Sequence, residues 1–373
     1  MANRVFLKSS SALYAVTRPL FFRTTSAQTA HARALDLLRW LDGREWAQMA
    51  LGQAHTLAFD AQPVNVGGAA LPFPLMLAAG LVKGEGFAGE DAALAAVMRG
   101  ENIIPGWRSL PRLVGPVEIG SFTRWPRAGN PGVVVWRDAP TQSTQNRVGL
   151  KNPGARAAAA FLALGRHNLP RVYGINIAVS PGVDNPAQEQ SEIVAALDAF
   201  LSLGIVPSWF TLNLSCPNTE DDPTGRQTED RTRLAVRAAL ARIGGAAPLW
   251  VKLGPDLSRE QYCALLRALA DEGARAVIAT NTLGQPAPDG SGLLAGVGGG
   301  RLHQRALEVA ALLAGEIQSR GYPLDVIGCG GVLDGRTWAA FSQIGVRAVQ
   351  YWSALVYRGP LAAALIADEE THA

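Results

Sequence analysis

Cysteine, histidine and charge are all scarce in this sequence, and each scarcity excludes something. Three cysteines, Cys216, Cys263 and Cys329, stand far apart with no CxxC pair. That spacing excludes a disulfide framework and a cysteine-ligated zinc site, and it points to a reducing compartment. Five histidines (His31, His55, His167, His303, His372) all lie outside the strand-end motifs described below. This speaks against a His-dependent nucleophile and against a His-ligated metal, so no metal site is expected. Charged residues make up 17% of the chain and the net charge is +3, too little to argue for nucleic acid. No stretch of 18 or more apolar residues exists, so no transmembrane helix is expected. No repeat of 20–50 residues and no low-complexity segment is visible.

What is present favours one large α/β core. Hydrophobic residues reach 48% and glycines number 40, enough to bury a sizeable interior and to make many tight turns. A length of 373 residues suits two or three average domains, but also one barrel with insertions. Eight short apolar runs alternate with longer helical patterns. The runs are Pro74–Gly80, Pro116–Gly120, Arg171–Val179, Trp209–Ser215, Leu249–Leu253, Ala276–Thr280, Leu324–Gly328 and Ala348–Ser353. Several are continuous rather than alternating, as parallel strands buried on both faces require. Ser191–Leu203, Asp230–Ile243, Ser258–Asp271 and Leu302–Arg320 read as helices between them. Eight such cycles predict a closed (β/α)8 barrel.

The N-terminus has a different character. Arg4, Lys8, Arg18, Arg23 and Arg33 precede the first acidic residue, Asp36, and are interleaved with Leu13, Tyr14, Val16, Leu20, Phe21 and Phe22. Basic plus apolar suits a segment lying on an anionic membrane surface. A cleaved targeting peptide or a helix packed on the barrel are the plainer alternatives. Ala32–Leu51 reads as helical, and a boundary near residue 60 separates an N-terminal helical segment (1–60) from the barrel (61–373).

Barrel enzymes carry their chemistry at the C-terminal strand ends. Here those ends hold Ala79, Gly80 and Lys83; Asn176; Asn213 to Asn218; Lys252; Thr280-Asn281-Thr282; Gly328-Cys329-Gly330-Gly331; and Trp352-Ser353. One strand-end asparagine is often only a cap. Several together make a neutral, bidentate surface suited to a planar amide heterocycle. Two lysines on different strands suit an anion or developing negative charge. The glycine-rich turn after run seven, with Ser353 after run eight, matches a barrel phosphate site. Cys216, between asparagines just past a strand end, is a candidate proton-abstracting thiolate; the plainer reading is a small buried hydrophobe. Loop 219–229, rich in Asp, Pro, Gly and Thr, reads as a lid or as an ordinary surface loop.

These residues resemble the dihydroorotate dehydrogenases. The similarity runs from about residue 10 to 362 and rests on Ala78-Ala79-Gly80-Leu81 with Lys83, Glu118-Ile119-Gly120-Ser121, Gly129-Asn130-Pro131, Asn146 to Leu150, Gly174-Ile175-Asn176 and Asn213 to Thr219. It continues through Val251-Lys252, Ile278 to Thr282, Gly328 to Gly331 and Val349-Gln350 with Ser353. The resemblance implies an FMN cofactor contacting Ala79, Gly80, Lys83, Ser121, Asn176, Asn213, Lys252, Thr280, Gly299, Gly331, Trp352 and Ser353. It implies dihydroorotate or orotate held by Lys83, Asn146, Gly149, Leu150, Asn213, Asn218, Asn281 and Thr282. Cys216 would be the catalytic base and Lys252 would stabilise the reduced flavin.

The N-terminal pattern Arg18-Pro19-Leu20-Phe21-Phe22 and Ala30-His31-Ala32 resembles the membrane-associated, quinone-reducing class, and so does most of the barrel. The implied partner is a quinone, and the implied location is peripheral, on the cytoplasmic side of a membrane, with a soluble cytoplasmic protein as the alternative. Five positions depart from that class. Cys216 and Leu150 resemble the soluble class, where the membrane class has serine and phenylalanine. Val134 stands for an arginine of the quinone path, and Trp352 for a tyrosine near the flavin. Gly298 also stands where serine is usual.

Overall fold

A computed structural model describes residues 2–215 and 228–371. Eight parallel strands close into a barrel: β1 (Leu75–Leu77), β2 (Val117–Phe122), β3 (Tyr173–Ala178), β4 (Trp209–Asn213), β5 (Leu249–Leu253), β6 (Ala276–Ala279), β7 (Asp325–Cys329) and β8 (Ala348–Tyr351). They follow one another around the barrel in chain order, and β8 pairs with β1 through Val349 and Leu75. Each of the eight apolar runs contains one of them, wholly or in large part. Their near-continuous burial explains the unbroken hydrophobic pattern, since one face meets the barrel interior and the other meets the surrounding helices.

The outer helices begin and end where local chemistry allows. Arg259–Glu272 opens on a Ser258–Gln261 capping box and closes on Gly273 at φ 91°, a left-handed cap that glycine adopts without strain. Gly335–Gln343 opens on an Asp334–Thr337 box. In these helices Leu265, Leu266, Leu269, Trp338 and Phe341 turn inward onto the strands.

The barrel interior is sealed from below. A hairpin, Val64–Val66 with Ala69–Leu71, lies across the N-terminal end. Above it Trp209 of β4 and Trp250 of β5 stack with ring centroids 4.4 Å apart. The Trp250 indole N–H donates to the Gly67 carbonyl at 2.8 Å and so ties plug to barrel. Gly174 in β3 makes the space, because a Cβ there would sit 2.2 Å from the Trp209 ring. With the lower end filled, ligand space is left at the C-terminal mouth. A four-stranded antiparallel sheet, formed by Val135–Asp138, Ser143–Asn146, Leu294–Gly299 and Leu283–Pro286, roofs part of that mouth.

Three helices precede the barrel: α1 (Ala2–Thr24), α2 (Ala27–Asp42) and α3 (Glu45–Ala58). The single helix expected over Ala32–Leu51 is therefore two, broken at Gly43 and Arg44. Asp42 supplies the reason. Its buried carboxylate accepts the backbone N–H groups of Gly106, Arg108 and Ser109 and the Asn102 amide, at 2.7–3.3 Å. The α2 terminus is thereby docked on the loop after the first barrel helix, and the chain must turn there. Leu7 and Ala58 pack with Leu361, Ala364 and Leu365 of the C-terminal segment. No helix among the described residues is long and apolar enough to cross a membrane.

Candidate active site

A pocket opens at the C-terminal mouth, and strand ends from all around the barrel supply its wall. Ala79, Gly80 and Lys83 follow β1; Ser121 comes from β2 and Asn176 from β3; Asn213 ends β4 and Lys252 lies in β5. Thr280, Asn281 and Thr282 follow β6, Gly331 follows β7, and Trp352 and Ser353 follow β8. Asn146, Leu150 and Gly299 reach the wall from the roof segments. Gly149 does not line it: at φ 71° it turns toward Asn130, whose Cγ would lie 2.6 Å from a Cβ. Cys216 and Asn218, and most of the loop that follows them, lie outside the described residues.

The exit of β4 is held from two sides. The Asn281 amide donates to Ser215 O at 2.9 Å and to Asn213 Oδ1 at 3.2 Å. Ser215 Oγ donates to the Lys252 carbonyl at 3.1 Å. This places the chain leading into Cys216 beside both asparagines and beside β5. Leu150 is held in a left-handed conformation at φ 54°, rare for a branched residue. Asn152 fixes it by donating to its carbonyl at 2.7 Å.

The floor is polar and buried. Lys252, 6% exposed, donates from Nζ to Gln350 Oε1 at 3.1 Å and to Cys329 Sγ at 3.5 Å. Burial pushes the Cys329 thiol up, against the opposing effect of Lys252, so it stays protonated at neutral pH. On the roof side the Thr144 and Ser353 hydroxyls meet at 2.7 Å. The turn at Gly330 and Gly331 packs so tightly on Gly299 and His303 that a Cβ on Gly331 would lie 2.6 Å from the Gly299 carbonyl. A backbone surface of that kind leaves N–H groups for an anion rather than side chains. Among the described residues no cluster of His, Cys, Asp and Glu could hold a metal ion.

Several wall residues were not legible as such. Gln145, Val148 and Gln350 join through register and roof pairing, and His31 comes from α2. His31 is half-buried in the wall between barrel and helix. Burial, then repulsion by Lys83 and Lys151, holds its pKa down at about 4, with Glu85 opposing. Glu85 bridges Arg39 of α2 at 2.5 Å and Lys151 at 2.8 Å. Burial alone would raise its carboxyl, yet those two cations draw it below the usual range. The pair of bridges clamps the N-terminal helices to the loop bearing Leu150.

The fold and the mouth pocket define a (β/α)8-barrel protein with an enzyme-like site at the C-terminal strand ends. The family model described as dihydroorotate dehydrogenase matches residues 63–372. The chain belongs to the dihydroorotate dehydrogenase family. It is 32% identical over 364 residues to the dihydroorotate dehydrogenase (quinone) of Chromobacterium violaceum, covering 93% of this chain and 94% of that one. It is 33% identical over 353 residues to the protein of the same name from Salinispora arenicola, covering 92% and 95%. The crystal structure of DHODH from Eimeria tenella in complex with ferulenol superposes with a TM-score of 0.68 at 22% identity, over 88% of this chain and 90% of that one. That structural likeness speaks for the fold.

One pH effect follows from His31. With its folded pKa depressed to about 4 from 6.5, the unfolded chain binds more protons between those values. The stability His31 confers is complete above pH 6.5 and is lost as pH falls toward 4. His31→Asn is expected to show a shallower loss of urea midpoint across that window than the parent. Identical slopes would contradict the assignment.

Proposed function

We propose that this protein oxidises dihydroorotate to orotate in de novo pyrimidine biosynthesis, using bound FMN and passing the electrons to a quinone. The observation that carries the reading is the convergence of Lys83, Asn146, Asn213, Asn281 and Thr282 with Lys252 on one pocket, in a chain of this family.

The residues present fit FMN. The buried Asn176 Oδ1 has no partner among the described residues and lines the pocket, an acceptor suited to an imide N–H. The Gly330-Gly331 turn, with Gly299 and Ser353, suits the phosphate. Ala79, Gly80, Ser121, Asn213, Thr280 and Trp352 would complete the cradle, and Lys83 and Lys252 would flank it. When bound, FMN supplies the two-electron chemistry by accepting hydride from C6 of the substrate. The chain does the rest. Lys83 and the asparagines orient the carboxylate and the imide edges of dihydroorotate. Asn218 would contribute from the adjoining loop. Cys216 Sγ takes the C5 proton, and the Lys252 ammonium, held by Gln350, stands where it can offset negative charge.

His31, Val135 and Val148 give the pocket an apolar flank toward α2, where a quinone ring would reach it. Residues 1–60 would form that access path and the membrane contact. Val5, Leu13, Val16, Leu20 and Phe21 on α1 are exposed, as are Trp40, Trp46 and Met49 beyond it. A peripheral position on the cytoplasmic side of a membrane accounts for them. Cys216, Leu150 and Val134 favour a second reading, the same oxidation with a soluble acceptor.

Anaerobic addition of dihydroorotate to the FMN-loaded protein is expected to bleach the flavin, and a quinone to restore it faster than fumarate or oxygen. No bleaching would sink the substrate; faster recovery with fumarate would favour the soluble reading. Cys216→Ala is expected to slow bleaching by about 10²–10⁴-fold at unchanged FMN content, and an unaltered rate would remove Cys216 from the role of base. The full-length protein should float with vesicles containing anionic lipid, and a Leu20→Glu, Phe21→Glu variant should not. Equal flotation of the two would rule out α1 as the contact.

A further inference from the structure

Glu118 lies in β2, is fully buried, does not itself line the pocket, and has no charged side chain at hydrogen-bond distance among the described residues. Four donors converge on its carboxylate. Asn176 Nδ2 donates to Oε1 at 2.7 Å. Trp209 Nε1, Thr211 Oγ1 and Gln350 Nε2 donate to Oε2 at 3.0, 2.7 and 2.9 Å. Asn and Gln carry their donor and acceptor on opposite ends of one flat group. Whichever end a neighbour claims, the other end is presented elsewhere.

We propose that Glu118 is a positioning residue that sets the polarity of the pocket floor, by claiming the N–H ends of Asn176 and Gln350. The consequence differs at the two sites. Asn176 lines the pocket and is left with Oδ1 buried and unpartnered among the described residues, so the floor offers an acceptor to a ligand N–H. Gln350 is left with Oε1 facing Lys252 Nζ at 3.1 Å, so the floor offers an acceptor to the ammonium. One carboxylate thus specifies an imide-bearing ring on one side and anchors a cation on the other. The inference rests on the reading of FMN as the ligand, and specifies which edge of it the floor accepts.

Glu118→Gln tests this without changing volume. The Trp209 indole can only donate, and it shares Oε2 with Thr211 and Gln350. The new amide must therefore keep its oxygen there and turn its NH₂ toward Asn176. Asn176 must flip to accept it, and then shows the pocket an NH₂ in place of Oδ1. The expected result is a loss of FMN affinity of about tenfold or more. More tellingly, the preference for FMN over 3-methyl-FMN, in which the imide N–H is blocked, should collapse. A merely structural role would weaken both ligands equally.

The double variant Glu118→Gln, Asn176→Asp restores every donor–acceptor match, because the amide introduced in β2 donates to one oxygen of the carboxylate introduced in β3 and the other oxygen faces the pocket. It is expected to fold and to regain the preference for FMN. If Glu118→Gln keeps the parental preference, or if the double variant fails to fold or fails to regain it, the proposal is overturned. If the parent protein itself binds no FMN, the cofactor reading fails first, which is a separate result visible before any variant is made.

Discussion

A carboxylate with no access to water dominates the interior of this barrel. Burying Glu118 costs several kcal/mol unless its oxygens are fully satisfied. The satisfaction comes from side chains on β3, β4 and β8, which converge across the barrel onto β2. Strand register is consequently constrained at the same height on four strands. Below this layer the stacked Trp209 and Trp250 fill the barrel with aromatic surface, and above it the pocket begins. The polar layer joins the plug to the site, since Trp209 belongs to the first and Asn176 to the second.

The second organising feature is the wall shared by the helical extension and the barrel. Gln28 of α2 pairs with the backbone on both sides of Val133, accepting from Val134 N at 2.7 Å and donating to Gly132 O at 3.2 Å. Arg39 reaches Glu85, which in turn holds Lys151 beside the Leu150 turn. His31 is placed against the pocket by this docking. The pocket wall and the N-terminal helices therefore meet at α2. The depressed basicity of His31 keeps a buried cation out of a wall that Lys83 and Lys151 already charge.

Among the described residues, the departures from the quinone-linked class all line or adjoin the pocket. Leu150 lines the pocket where roof and barrel meet, and Val134 adjoins Val135 on the flank facing α2. Trp352 stands at the end of β8, near enough that a Cβ on Gly80 would contact its indole at 3.7 Å. The floor residues Asn176, Lys252 and Asn213 keep the family pattern.

The eight strands and most outer helices could be read directly from the sequence. Double-faced burial writes a continuous apolar run, and an amphipathic helix writes a 3.6-residue period, so both signals are local. The strand-end inventory was legible for the same reason, because a closed parallel barrel brings all C-terminal ends to one face. Tertiary structure alone decided the rest. The roof sheet pairs segments about 150 residues apart through short strands with no distinctive pattern. The break at Gly43 depends on Asp42 finding backbone N–H groups more than 60 residues away. His31 enters the pocket only because α2 docks there. Glu118 is one charged letter in an apolar run, and its meaning lies in four donors from three other strands. The sequence by itself determined which residues stand at the barrel mouth; the way their amides face was decided by contacts that exist only once the barrel has closed, because hydrogen-bond polarity is set by the partner and not by the residue.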